Sequence, residues 1–179
     1  MGKRKNSYDN ILGAAEAVVL KVGAAHLTLD SVARKAGVSK GGLLYNFPTK
    51  EILLKAMVSR LIRSFEEARL KKMAKMKEEP AREIKAHILS MLTRNRRTDR
   101  TAAALLAAIA YNPKLVEPIR KDALKFMAEI AAPGLGFERK AVILLAAMGL
   151  HLQEVLQVSF LNDKQRKAII TELVRMVEG

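Results

Sequence analysis

Apolar residues recur along this chain at spacings of three and four. Ile11, Leu12, Ala15, Val18, Val19 and Val22 keep that rhythm, which predicts a helix from about Tyr8 to Val22 that Gly23 ends. Leu29, Val32, Ala33 and Ala36 repeat it on a short helix capped by Thr28, with Asp30 in the first turn, where the helix dipole favours a negative charge. Gly37 closes that helix. Ser39 caps another short one to about Asn46, and Phe47-Pro48-Thr49 breaks the pattern. Thr49 caps a long helix from Lys50 to about Glu79, and Pro80 opens a segment to about Arg94. After a polar joint at 95–98, helices are predicted at Asp99–Ala110, Pro113–Ala132 (irregular at Pro118), Glu138–Phe160 and Asp163–Val177. No run alternates apolar and polar residues over a strand's length, so the fold class read here is all-α. No internal repeat or low-complexity tract appears.

Half of the 179 residues are apolar, enough for a real core, and there is no cysteine. That excludes disulfides, thiol catalysis and cysteine-held zinc or iron–sulfur groups. The longest apolar runs, 102–111 and 141–150, have ten residues each. A spanning helix needs about 20, so these read as helices buried inside the protein, and no membrane partner is expected. Met1-Gly2-Lys3-Arg4-Lys5 is followed by polar residues rather than an apolar signal core, which points to the cytoplasm. His26, His87 and His151 are scattered, and no G-x-S-x-G elbow, P-loop or Rossmann glycine pattern occurs. Neither an enzyme, a metal site nor a cofactor is expected.

Charge adds a direction. The formal net charge is +14, of which +5 lies in residues 1–50, +7 in 51–100 and +2 in the rest. A basic end calls for a polyanion: nucleic acid, or an anionic membrane surface. A basic surface kept for solubility is the plain alternative.

The informative stretch runs from Leu27 to Lys50. Two short helices flank a tight turn at Gly37-Val38, where Gly37 is free to take the left-handed conformation. Ala33 is small where the helices cross, and Val38 fills the gap between them. Leu43 and Phe47, four apart, point inward together, leaving Lys40, Gly41, Leu44, Tyr45 and Asn46 outward. This is the pattern of a helix-turn-helix, whose second helix enters the DNA major groove. Gly41 and Gly42 each cost about 1 kcal/mol of helix propensity. Two reasons present themselves: close approach of the backbone to DNA, or packing against a neighbouring helix.

Thr28, Val32-Ala33, Ala36-Gly37-Val38-Ser39, Lys40-Gly41, Leu43, Tyr45, Phe47 and Lys50-Glu51 resemble the DNA-binding signature of the TetR family of bacterial transcriptional regulators. The match covers roughly residues 8–56; the remainder is similar to the family in length and helical character. Asn46 departs from it, standing where a histidine is common, as does Leu44, where a polar or aromatic residue is usual. The resemblance implies a three-helix DNA-binding domain at 1–50, joined by a long helix to a helical ligand-binding and dimerisation domain at 51–179. It implies that Thr28 and Ser39 cap their helices and contact phosphate, and that Lys40, Gly41 and Gly42 approach bases or backbone. Leu44 would touch a thymine methyl, and Tyr45, Asn46 and Lys50 would bind phosphate. Lys3, Arg4 and Lys5 form either an arm for the minor groove or a solvated start.

The resemblance implies a homodimer on a near-palindromic operator; independently, a seven-residue reading helix touches too few bases to specify a site alone, so two copies on one DNA face are needed. Its interface is assigned to Leu145, Met148, Leu152 and Val155 of one stripe and Ile170, Leu173 and Val174 of another. An intrachain core is the other use of both stripes. The resemblance also implies a pocket for a small-molecule effector, drawn from Ile88, Met91, Leu92, Leu105, Leu106, Ile109, Tyr111 and Met127. The low aromatic content, 4%, favours an aliphatic or amphipathic effector. The function implied is that of a repressor released from its operator by that effector. The alternative is a non-specific basic architectural DNA-binding protein, which leaves the 129 residues after Lys50 without a purpose.

Overall fold

The structure, a computed structural model, describes residues 2–93, 95–130 and 134–178, and for residues 2–6 the backbone alone. Among these residues the chain forms helices α1 (Gly2–Val22), α2 (Leu29–Ala36), α3 (Lys40–Asn46), α4 (Lys50–Met73), α5 (Arg82–Met91), α6 (Arg96–Tyr111), α7 (Glu117–Glu129), α8 (Phe137–Val155) and α9 (Asp163–Glu178), and no strand. A 3-10 turn at Pro113–Val116 precedes α7. The chain is all-α, with an N-terminal helix-turn-helix and a C-terminal helical part.

Several ends differ from the periodicity. α4 stops at Met73 rather than near Glu79: Lys75 and Met76 donate to the carbonyls three residues back, Lys72 and Met73, which tightens the last turn. Pro113 makes its own 3-10 turn, and Pro118 falls in the first turn of α7, so the irregularity comes before it. α6 begins three residues early because the Asn95 side chain accepts from Thr98 N, a cap hidden in the polar joint. α8 ends five residues early, at Val155. Gln157 has φ 58°, while its N–H donates to Glu154 O and that of Val158 to Gln153 O. This is a Schellman motif with glutamine where glycine is usual. Arg94, Ala131, Ala132 and Pro133, where two predicted segment ends and the start of the predicted 133–136 loop fall, lie outside the described residues.

The chain packs as two compact units. The first takes in residues 1–62 and 100–122, the second 63–99 and 123–179. This division by packing differs from the boundary expected at residue 50. The first unit's core joins Ile11, Leu12 and Val19 of α1, Val32 of α2, Leu43 and Phe47 around α3, and Leu53 of α4. Leu105 and Ala108 of α6 and Leu115 of the 3-10 turn complete it. Each such leucine, isoleucine, valine or phenylalanine side chain contributes about 1.5–3 kcal/mol when fully buried. The second core joins Ile84 and Ile88 of α5, Ile143, Leu144, Ala147 and Leu150 of α8, and Leu173 and Val177 of α9. Here Lys85 is buried, its ammonium 2.8 Å from Glu79 Oε1 and 2.6 Å from Glu178 Oε1. Burial works against its charge, but the hydrogen bonds to Glu178 and Glu79 overcome that and raise its pKa.

Candidate nucleic-acid interface

Caps fix both helices of the motif. Thr28 Oγ1 accepts from Ser31 N at 3.1 Å while Ser31 Oγ accepts from Thr28 N, a reciprocal capping box. Gly37 takes φ 67°, and the Asn10 side chain of α1 donates to Ala36 O at 2.8 Å, closing the end of α2. Ser39 Oγ accepts from Gly42 N at 3.1 Å at the start of α3. Leu43 and Phe47 are fully buried, and the Phe47 ring meets that of Tyr8 at 4.8 Å. These anchors set the rotation of α3 about its axis.

With that rotation fixed, Lys40, Gly41 and Tyr45 face outward, Tyr45 with 74% of its surface exposed. Leu44 and Asn46 are half-buried. A methyl group added at Gly41 would meet no atom within 4 Å, so packing within the protein does not explain that glycine. At Gly42 an added Cβ would lie 3.2 Å from Ser39 Oγ, the capping atom, which would have to yield slightly. The outward polar side chains are not idle. Asn46 Nδ2 donates to Gly42 O at 2.9 Å, and Lys50 Nζ donates to Ala25 O at 2.8 Å, tying α4 to the turn before α2. Each keeps further donors for a phosphate. Lys40 Nζ pairs with Asp30 at 3.0 Å, a contact that periodicity gives no hint of.

A polar clamp also escapes the sequence reading. Lys55 Nζ lies 3.3 Å from Glu51 Oε1 and 3.2 Å from Glu117 Oε2. Asn112 Nδ2 donates to Glu51 Oε2 at 3.4 Å, while Asn112 Oδ1 accepts from Lys114 N. Hydrogen bonds from Lys55 and Asn112 lower the Glu51 pKa, and those to Glu117 and Glu51 raise that of Lys55. The first turn of α4, which follows α3, is thus fixed to the end of α6.

Residues 11–57 match the family model described as bacterial regulatory proteins, tetR family, and residues 81–178 match that of the tetracyclin repressor-like C-terminal domain. The chain belongs to the TetR family. It is therefore a DNA-binding transcriptional regulator, and members of this family act as dimers and take small-molecule ligands. No curated protein matches it. Solved structures share the fold. A transcriptional regulator from Rhodococcus sp. Rha1 aligns with TM-score 0.70 at 22% identity over 95% of both chains. A TetR-family member from Streptomyces coelicolor A3 gives 0.72 at 20% identity, over 93% of this chain and 97% of that one. The multidrug binding protein EbrR complexed with imidazole gives 0.68 at 22%, over 92% and 88%.

The residues expected to line an effector pocket of this TetR-family chain separate. Leu105 is fully packed into the first unit's core, Ile109 packs against it, and Leu106 is half-buried in the same helix. Tyr111 is 86% exposed. Ile88 and Leu92 belong to the second unit's core, with Met91 and Met127 packed against it. There Phe126 stacks on the His87 ring at 4.0 Å, and the guanidinium of Arg69, paired with Glu83, lies 5.5 Å from the Phe126 ring centre. Burial, helped by Arg69 and opposed by Glu83, lowers the His87 pKa to about 4, so the ring is neutral.

The interface residues also divide. Leu145, Met148 and Leu152 lie exposed along α8, together with Val142. Val155 and Leu173 are buried within the protomer, because they fall on the inward faces of α8 and α9, and Ile170 and Val174 are half-buried against that core. Val155 and Leu173 thus serve the intrachain core, while Ile170 and Val174 keep surface for either use. The Lys3-Arg4-Lys5 side chains lie outside the described residues. Among the described residues no helix is long and apolar enough to cross a membrane, and no group of three or more potential ligands is placed to hold a metal ion.

Proposed function

We propose that this chain represses transcription as a homodimer that reads a near-palindromic operator with α3 and leaves it when a small aliphatic or amphipathic effector binds. The observation that carries this reading is the fixed rotation of α3. Leu43 and Phe47 lock one side into the core, and Lys40, Gly41 and Tyr45 are left facing solvent. Leu44 offers an apolar contact to a thymine methyl, Tyr45, Asn46 and Lys50 hold phosphates, and Thr28 and Ser39 add contacts from the caps. Residues 1–50 carry the reading function, and residues 51–179 carry effector binding and dimerisation.

The outward stripe of α8 supports the dimer. Val142, Leu145, Met148, Leu152 and Leu156 are all exposed, and a Cβ at Gly149 would meet nothing within 4 Å. Two copies packed through such stripes form a helical bundle in which Gly149 permits close approach. The effector region is assigned to Ile88, Met91, Leu92 and Met127; methionine adapts to irregular ligands. The shared fold admits small molecules, since EbrR has been solved with imidazole and with ethidium. An effector acts by preferring the state in which the two reading helices no longer match the groove spacing.

Selection of bound fragments from random duplex DNA tests the proposal. The expected product is a near-palindrome with half-sites about one helical turn apart, bound with a salt slope near −7 for about eight phosphates. Tyr45→Ala and Lys50→Ala should weaken binding to it while folding and dimerisation persist. Selection that enriches no sequence would favour the non-specific architectural alternative.

A further inference from the structure

Lys40 is the first residue of α3, and Asp30 lies in the first turn of α2. Their side chains join the two helices of the motif: Lys40 Nζ stands 3.0 Å from Asp30 Oδ1 and 3.4 Å from Oδ2. Both are about two-thirds exposed, at 66% and 62%. A carboxylate beside a DNA-reading helix repels phosphate and adds nothing to affinity. Its position in α2 suits the dipole of that helix, but this does not explain why it also meets the lysine ten residues later.

We propose that Asp30 is a specificity-determining residue that withholds the Lys40 ammonium from phosphate and yields it only to a strong acceptor on a base edge. This rests on the reading of α3 as the recognition helix. A solvent-exposed ion pair is held loosely, shifting populations by a factor of about two to five. Moving Lys40 to a phosphate exchanges one anion for another and leaves Asp30 unpaired beside a polyanion, so random DNA gains little. A guanine presents O6 and N7 side by side in the major groove, and there the exchange is favourable. Asp30 thus lowers the background more than it lowers operator binding. The class of base edge assigned to Lys40 is that of guanine.

The test compares the full-length parent with Asp30→Asn, Lys40→Met and the double variant. Each is titrated with the fragment the parent selects and with a random-sequence duplex, across a salt series. Asp30→Asn should bind the random duplex about three- to ten-fold more tightly, with a log–log salt slope steeper by about 2, one phosphate for each copy of Lys40 in the dimer. Its preference for the selected fragment should fall. In the Lys40→Met background the same change should bring a clearly smaller gain, the part due to the carboxylate's own repulsion of phosphate. An unchanged preference in Asp30→Asn overturns the proposal while leaving the recognition reading intact. So does an equal gain without Lys40, because Asp30 would then act through its own charge. A parent that selects no fragment overturns the recognition reading, and this proposal with it.

Discussion

The side-chain amide of Asn112 donates to the carboxylate of Glu51 at 3.4 Å, across 61 residues of sequence. Its oxygen meanwhile accepts from Lys114 N at 3.2 Å and starts the 3-10 turn that buries Leu115. One side chain therefore caps a turn and fastens it to α4. Asn112→Ala should cost about 1 kcal/mol through the lost cap, lowering the melting midpoint by about 2–4 °C in far-UV circular dichroism. Asn112→Asp keeps the capping oxygen but sets a second carboxylate against Glu51. It should also lower the midpoint, and added salt should recover part of that loss.

The two glycines of α3 should respond differently. Gly41→Ala meets open space and gains helix propensity, so stability should rise by up to about 1 kcal/mol. Operator affinity should fall about ten-fold, because the added methyl stands between helix and DNA. Gly42→Ala presses on the Ser39 hydroxyl, so its gain in stability should be smaller than that of Gly41→Ala. Paired denaturation and gel-shift titrations separate the outcomes, and equal binding by Gly41→Ala and the parent would count against close approach.

Met148 and Leu145 are exposed in the protomer, so a charge there leaves the fold undisturbed. Met148→Glu or Leu145→Glu should shift the mass in sedimentation equilibrium from two chains to one and weaken operator binding by at least ten-fold. The circular dichroism spectrum should stay that of the parent. Gly149→Leu should act in the same direction by bulk alone.

His87 makes stability depend on pH. Its pKa in the folded protein is about 4, below the ordinary 6.5, so the unfolded chain holds the proton more tightly. The stability it contributes is complete above about pH 6.5, is lost as pH falls toward 4, and falls no further below that. The ceiling of this contribution is about 3 kcal/mol. Burial pushes His151 in the same direction. His87→Phe should flatten the pH dependence of urea denaturation between about pH 4 and 6.5, leaving the part due to His151.

The reading helix was legible because its signals are local. Caps at Thr28 and Ser39, the glycine at 37 and the inward pair Leu43 and Phe47 all act within a few residues of one another. What escaped is non-local or chemically atypical. The Asp30–Lys40 pair and the Lys55 clamp join residues that no periodicity relates. Gln157 ends α8 in a conformation whose usual marker is glycine. The stripes of α8 and α9 give the period of the apolar positions but not which face turns inward, so sequence alone does not separate Val155 and Leu173 from Leu145 and Met148. Composition likewise does not separate the residues of the two cores, since Leu105 and Ile88 look alike yet pack in different units.

Leu105, Ala108 and Leu115 fill the same core as Leu43 and Phe47. The reading head is therefore not a detachable cassette: cut out at residue 50, it would leave its hydrophobic interior open on one side. Anyone grafting this head onto another regulator must carry the 100–122 segment with it. Recombination between paralogues meets the same constraint, because a crossover just after the motif pairs one parent's head with the other's plug.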